Sequence, residues 1–184
     1  MNLVFRSSKI LILSCLTLSL SALAHEKVWP EKRLRQVWPE AKTFTSRQVT
    51  LNADQMSSVT SGGVKIASED RSPTFYFAQD GSATAKNLGV ILFVDAYGAN
   101  GKMEVSVAMD TDGRVRKTDI WSHSENAAVA QDQFLDQFVG KSIKNTFKAG
   151  ADYKPVSDAV KASEAIASGV QKALLITNAV FKKK

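Results

Sequence analysis

The side chains able to do chemistry are few, and most do not combine. His25 and His123 are the only histidines. His25 would head the chain once a leader is removed, where imidazole and amine together can bind copper. With no partner ligand in sight it reads as a mobile terminus. His123 lies in Ser122-His123-Ser124-Glu125, at the end of an expected strand. A histidine beside a carboxylate can act as a general base, but no serine or cysteine nucleophile motif accompanies it. It reads as a surface-loop or cofactor-edge residue. Asp95, Asp110, Asp112 and Asp119 lack the alternate spacing and closing glutamate of a calcium loop, and read as turn residues. No Walker motif, dinucleotide fingerprint, catalytic constellation or metal-ligand set is present.

The remaining candidate is Ser157-Asp158-Ala159-Val160-Lys161-Ala162-Ser163, which opens a long helix. Free backbone N–H groups at a helix start make a generic phosphate site. A purely structural cap by Ser157 or Asp158 accounts for the same residues.

These side chains need elements to position them. The 184 residues suffice for one domain and a leader. Residues 1–24 read as a cleaved secretory signal: Arg6 and Lys9, an apolar run over 10–20 too short to span a bilayer, then Ala22-Leu23-Ala24. A lipoprotein signal through Cys15 is the alternative, disfavoured by Leu13 and by the apolar run continuing past the cysteine. Cleavage removes two of 24 basic groups and none of 18 acidic ones, so the net charge falls from +6 to +4. Cys15 leaves as well, which excludes disulfides, iron–sulfur clusters and haem attached through C-x-x-C-H. No basic stripe with interleaved aromatics remains, so nucleic acid is not an expected partner. The expected location is the periplasm.

After the leader, residues 25–86 form an N-terminal helix and strand region and residues 87–184 the main domain, packed as one unit. Pro30 and Pro39 bracket a helix with Leu34, Val37 and Trp38 on one face, and 44–51 follows as a strand. Asn52 and Gln55 form a capping box, with Leu51 and Met56 as the staple, for a helix ending near Gly62-Gly63. Residues 70–73 read as a loop. Strands are expected at 74–78, 87–97, 103–110 and 115–121, a meander of about four antiparallel strands. The run Val90-Ile91-Leu92-Phe93-Val94 has the character of a strand buried on both faces. A short helix spans 131–138. A long amphipathic helix spans 160–181, with Ile166, Val170, Ala173, Leu174 and Thr177 inward and Lys182 to Lys184 at its negative end. The class is α+β: an antiparallel sheet meander packed with helices.

Several pieces in order resemble a known family. Gly101-Lys102 opens a strand, Asp110-Thr111-Asp112-Gly113-Arg114-Val115 follows, and His123-Ser124-Glu125 stands at a His/Tyr-x-Glu position. Phe134-Leu135-Asp136-Gln137-Phe138-Val139-Gly140-Lys141 matches F-L-x-Q-F-x-G-K, and Trp38-Pro39-Glu40-Ala41 is similar to F-P-x-A. From about residue 89 onward the chain resembles the FMN-binding domain of bacterial electron-transfer proteins. That family includes the flavin subunits of the Rnf and sodium-translocating NADH:quinone reductase complexes and small periplasmic relatives.

Its motif S-G-A-T-x-S-S-R-A carries FMN on the threonine through a phosphoester in covalent members. Here Ser157 falls on the first serine, Asp158 on glycine, Ala159 on alanine and Val160 on the acceptor threonine. Ala162 and Ser163 fall on the serine pair, and Glu164 on arginine. The resemblance implies an FMN site at Ser157, Asp158, Ala159, Val160, Lys161 and Ser163, with Glu125 near the ring. Val160 lacks the hydroxyl, so the implied flavin is non-covalent. At ~4 Å from a phosphate, the Asp158 carboxylate would cost on the order of 1–4 kcal/mol, partly offset by Lys161. The implied role is respiratory electron transfer, as a carrier or accessory protein working with redox partners of the envelope and peripherally with a membrane complex. The alternative is a flavin-free periplasmic binding or assembly module on the same scaffold.

Overall fold

The computed structural model describes residues 31–182. The expected leader, Cys15 and His25 lie outside the described residues. Helix α1 (Glu31–Val37) presents Leu34 inward, and Trp38 follows it into the core with no exposure. Strand β1 (Thr43–Gln48) comes next, then helix α2 (Ala53–Ser61). The capping box forms as expected. Asn52 Oδ1 accepts from the Gln55 N–H and Gln55 Oε1 from the Asn52 N–H, both at 2.9 Å. Both contacts lie within one turn, so a short stretch of sequence specifies them.

Strands β2 (Thr74–Gln79), β3 (Asn87–Tyr97), β4 (Lys102–Asp110) and β5 (Val115–Ser122) form the anticipated meander. β1 adds to its edge, pairing antiparallel with β2 from Thr43↔Gln79 to Gln48↔Thr74, so the sheet has five strands in the order β1-β2-β3-β4-β5. β3 is the central strand and is buried on both faces, as its apolar run requires. Leu92, Val94 and Ala96 join one core with Val105, Val107 and helix α4 (Val160–Phe181). Ile91 and Phe93 join the other with Leu34, Trp38 and Ala41. Gly89 has no room for a side chain, since a Cβ there would strike the Trp38 ring and the Met109 carbonyl. Its glycine therefore lets α1 close on the sheet.

Several local expectations are corrected. Asp95 is not a turn residue: it lies within β3, 1% exposed, with Oδ2 3.0 Å from Lys102 Nζ. Asp119 lies within β5 and pairs with Arg33 at 2.5 Å, and Arg33 in turn stacks over Trp121. Both aspartates are held in strands by cations that sequence proximity does not reveal. Residues 69–71 make a 3-10 turn rather than open loop, with Asp70 buried. The helix expected over 131–138 divides into α3 (Asp132–Leu135) and a 3-10 turn at Asp136–Phe138.

Candidate functional site

The start of α4 is built by residues distant in sequence. Gln137 Oε1 accepts from the Lys154 N–H at 2.8 Å, and its Nε2 donates to the Lys154 carbonyl at 3.2 Å. Gln137 thus holds residue 154 as a paired strand would. Gly140, at φ +78°, lets the chain turn so that its N–H reaches Val115 O at 2.7 Å. Phe134, Phe138, Phe147 and Tyr153 pack together beneath this segment. The segment matching F-L-x-Q-F-x-G-K is therefore the brace for the chain that enters α4.

Residues Ser157–Ala159 form a 3-10 turn, and α4 begins at Val160. Neither Ser157 nor Asp158 caps the helix, which corrects the structural expectation for them: the residue preceding α4 is Ala159, and it makes no side-chain cap. Ser163 closes the turn from inside the helix. Its Oγ accepts from the Val156 N–H at 3.0 Å and donates to the Ala159 carbonyl at 2.9 Å. A serine bonding the carbonyl four residues back is a familiar local device, and here the hydroxyl's proton and one of its lone pairs are used within the protein, with the residue at 0% exposure. The exposed surface therefore consists of the first-turn backbone, the Ser157 hydroxyl, the Asp158 carboxylate, the Val160 isopropyl and the Lys161 ammonium.

Glu125 stands at the same end of the sheet. Gly169 of α4 faces Val94, Ala96 and Val105, whereas Leu174 and Thr177 lie alongside Val90 and Met109. The helix thus runs from the β3–β4 turn toward the β4–β5 turn. Glu125 Oε1 accepts from the Asn100 N–H at 2.6 Å, and Asn100 Nδ2 donates to Ser124 O at 3.2 Å, pinning the β3–β4 turn. Gly98 makes this possible, because a Cβ there would collide with the Glu125 carboxylate. His123 Nδ1 is buried with no hydrogen-bond partner in the protein.

Beside this end sits a buried network that the sequence did not disclose. Lys172 Nζ donates to Asp70 Oδ2 and to the Asp95 carbonyl, both at 2.7 Å. A lysine inside the apolar stripe of α4 was the available signal; its partner lies 102 positions away. Next to it, Tyr97 donates to Glu69 at 2.9 Å. That bond, then burial, pushes the Tyr97 phenol up to about 12. The Glu69 carboxyl falls to about 2, held first by its own backbone N–H, then by Ser68 and Tyr97.

Of the hydroxyls at residues 157–163, only that of Ser157 is exposed. Val160 has no hydroxyl, and that of Ser163 is buried and engaged. Two clefts, of about 310 and 1100 Å³, lie elsewhere, and neither is lined by any of these residues.

No curated protein matches the chain. Solved structures similar to it include NqrC of Shewanella oneidensis, 15% identical, covering 78% of this chain and 73% of that one with a TM-score of 0.45. Another is a subunit of the Na+-translocating NADH-quinone reductase of Parabacteroides distasonis, 14% identical, covering 83% and 81%, with a TM-score of 0.44. Residues 98–175 match the FMN-binding domain, a stretch holding the β3–β4 turn, Glu125, the Gln137 brace and the α4 start. This stretch of the chain is thus similar to the FMN-binding domain.

Proposed function

We propose that this protein is an exported electron carrier that holds FMN without a covalent bond, its phosphate at the first turn of α4. The observation that carries this reading is the family match over residues 98–175, which contains every residue of the candidate site. The exposed helix start supports it: no side chain caps the first turn, and Ser157 and Lys161 stand beside it as partners for an anion. Bound FMN supplies one- and two-electron transfer, which the protein's own side chains lack. The chain's part is positioning: Gln137 fixes the entering strand, Ser163 locks the turn, and Glu125 holds the β3–β4 turn at the same end.

The expected leader supports export to the periplasm. Among the described residues no helix is long and apolar enough to cross a membrane, which is consistent with peripheral association with a membrane redox complex. The electron donors and acceptors are expected among envelope redox proteins.

A flavin-free docking module is the second reading. Asp158 favours it, because its exposed carboxylate stands where an arriving phosphate would be repelled. A titration of the purified protein with FMN and with riboflavin decides between them. Non-covalent anchoring by phosphate predicts saturable FMN binding, with riboflavin at least about tenfold weaker. Absence of FMN binding would leave the docking module as the better account.

A further inference from the structure

The opposite end of the sheet holds a cleft of about 1100 Å³, larger than the roughly 300–1000 Å³ usual for small-molecule sites. About 25 Å of helix separates Thr177, on its wall, from Val160. The floor is apolar: Val90, Met109 and Leu174 are buried there, flanked by Phe77 and Phe181 edge to face at 5.7 Å.

The rim is cationic and its charges are unmatched. Among the described residues, Arg47, Lys144 and Lys182 line the cleft with no ion-pair partner. The lining carboxylates are engaged, Asp112 by Arg114 and Asp110 by Arg116. The Arg47 guanidinium lies 4.9 Å from the Phe181 ring centroid, poised over the apolar floor.

We propose that this cleft binds a small amphipathic anion, with its apolar body on Val90, Met109 and Leu174 and its carboxylate or phosphate head on Arg47. Lys144 and Lys182 add charge at the mouth. The site is separate from the α4 start and does not depend on a flavin being there.

Calorimetric titration of the full protein with decanoate and with 1-decanol tests the proposal. The expected result is 1:1 decanoate binding with Kd below about 1 mM and decanol at least about tenfold weaker. Arg47→Gln with Lys144→Gln should weaken decanoate about tenfold. Saturating FMN should leave decanoate binding unchanged. Equal binding of acid and alcohol, indifference to these substitutions, or displacement by FMN would each overturn the proposal. So would binding seen only with phosphatidylglycerol vesicles, which would make the rim a membrane contact.

Discussion

At the residue scale, the proposed non-covalent attachment turns on one side chain, Val160. Valine and threonine share a shape, so Val160 preserves the packing of the first turn while removing the only nucleophilic atom at that position. Val160 is 44% exposed, so the change to threonine meets no steric barrier. In a host that makes the flavin transferase, Val160→Thr should yield protein whose intact mass increases by one covalently attached FMN, while the parent chain shows none. An unmodified variant would mean that Asp158, or the exposed turn itself, also prevents attachment. The identity of residue 160 was legible from the motif alignment because it needs no structural context. The part played by Ser163 was not, since the same serine can cap, bind a ligand or bond its own backbone. The geometry selects the last: both of its hydrogen bonds go to residues 156 and 159.

Elements were legible where their signals were local. The capping box of α2, the alternation of β4 and the double-faced burial of β3 all lie within single segments of sequence. The contacts that lock those elements together were not. Lys172 and Asp70 are 8% and 1% exposed at the side chain, and nothing near either residue in sequence announces the other. Removing one partner from a buried pair strands the other charge, at a cost of about 3–5 kcal/mol. Lys172→Met should therefore lower the stability measured by urea denaturation by that amount, and Asp70→Asn together with Lys172→Met should recover most of the loss. Equal losses in the single and double variants would show that the pair is not coupled.

The segment leading to α4 makes a second prediction at this scale. The Thr146 hydroxyl and then the Asn145 amide hold the Asp152 carboxyl well below its ordinary value of 3.8. A carboxylate whose pKa is depressed by folding stabilises the native state above its unfolded pKa and loses that contribution as the pH falls through its folded pKa. Asp152→Asn should thus destabilise the protein at pH 7, and the gap from the parent chain should close steadily below about pH 4. Urea midpoints at pH 7 and pH 3 measure it; a gap independent of pH would contradict the assignment.

At the scale of the whole molecule, the two ends of one sheet have different characters. One end gathers the β3–β4 turn, Glu125 and the start of α4, all inside the family-matched stretch. The other opens a cleft with an apolar floor and unmatched cations. Composition and the family motifs pointed to the first end. The second was invisible in sequence because its walls come from β1, β2, β3, β4, the 142–144 segment and the far end of α4. The absence of cysteine after residue 24 bears on the whole chain, since the expected mature polypeptide has no ligand for an iron–sulfur cluster and no C-x-x-C-H haem attachment.

The measurement that tests this account most directly is made on protein exported and purified from a host that makes FMN and the flavin transferase. Its visible spectrum and intact mass are recorded before and after denaturation. The account predicts a yellow protein at the mass of the unmodified mature polypeptide, whose flavin is released as free FMN on unfolding. A colourless protein that takes up no added FMN would contradict the central claim.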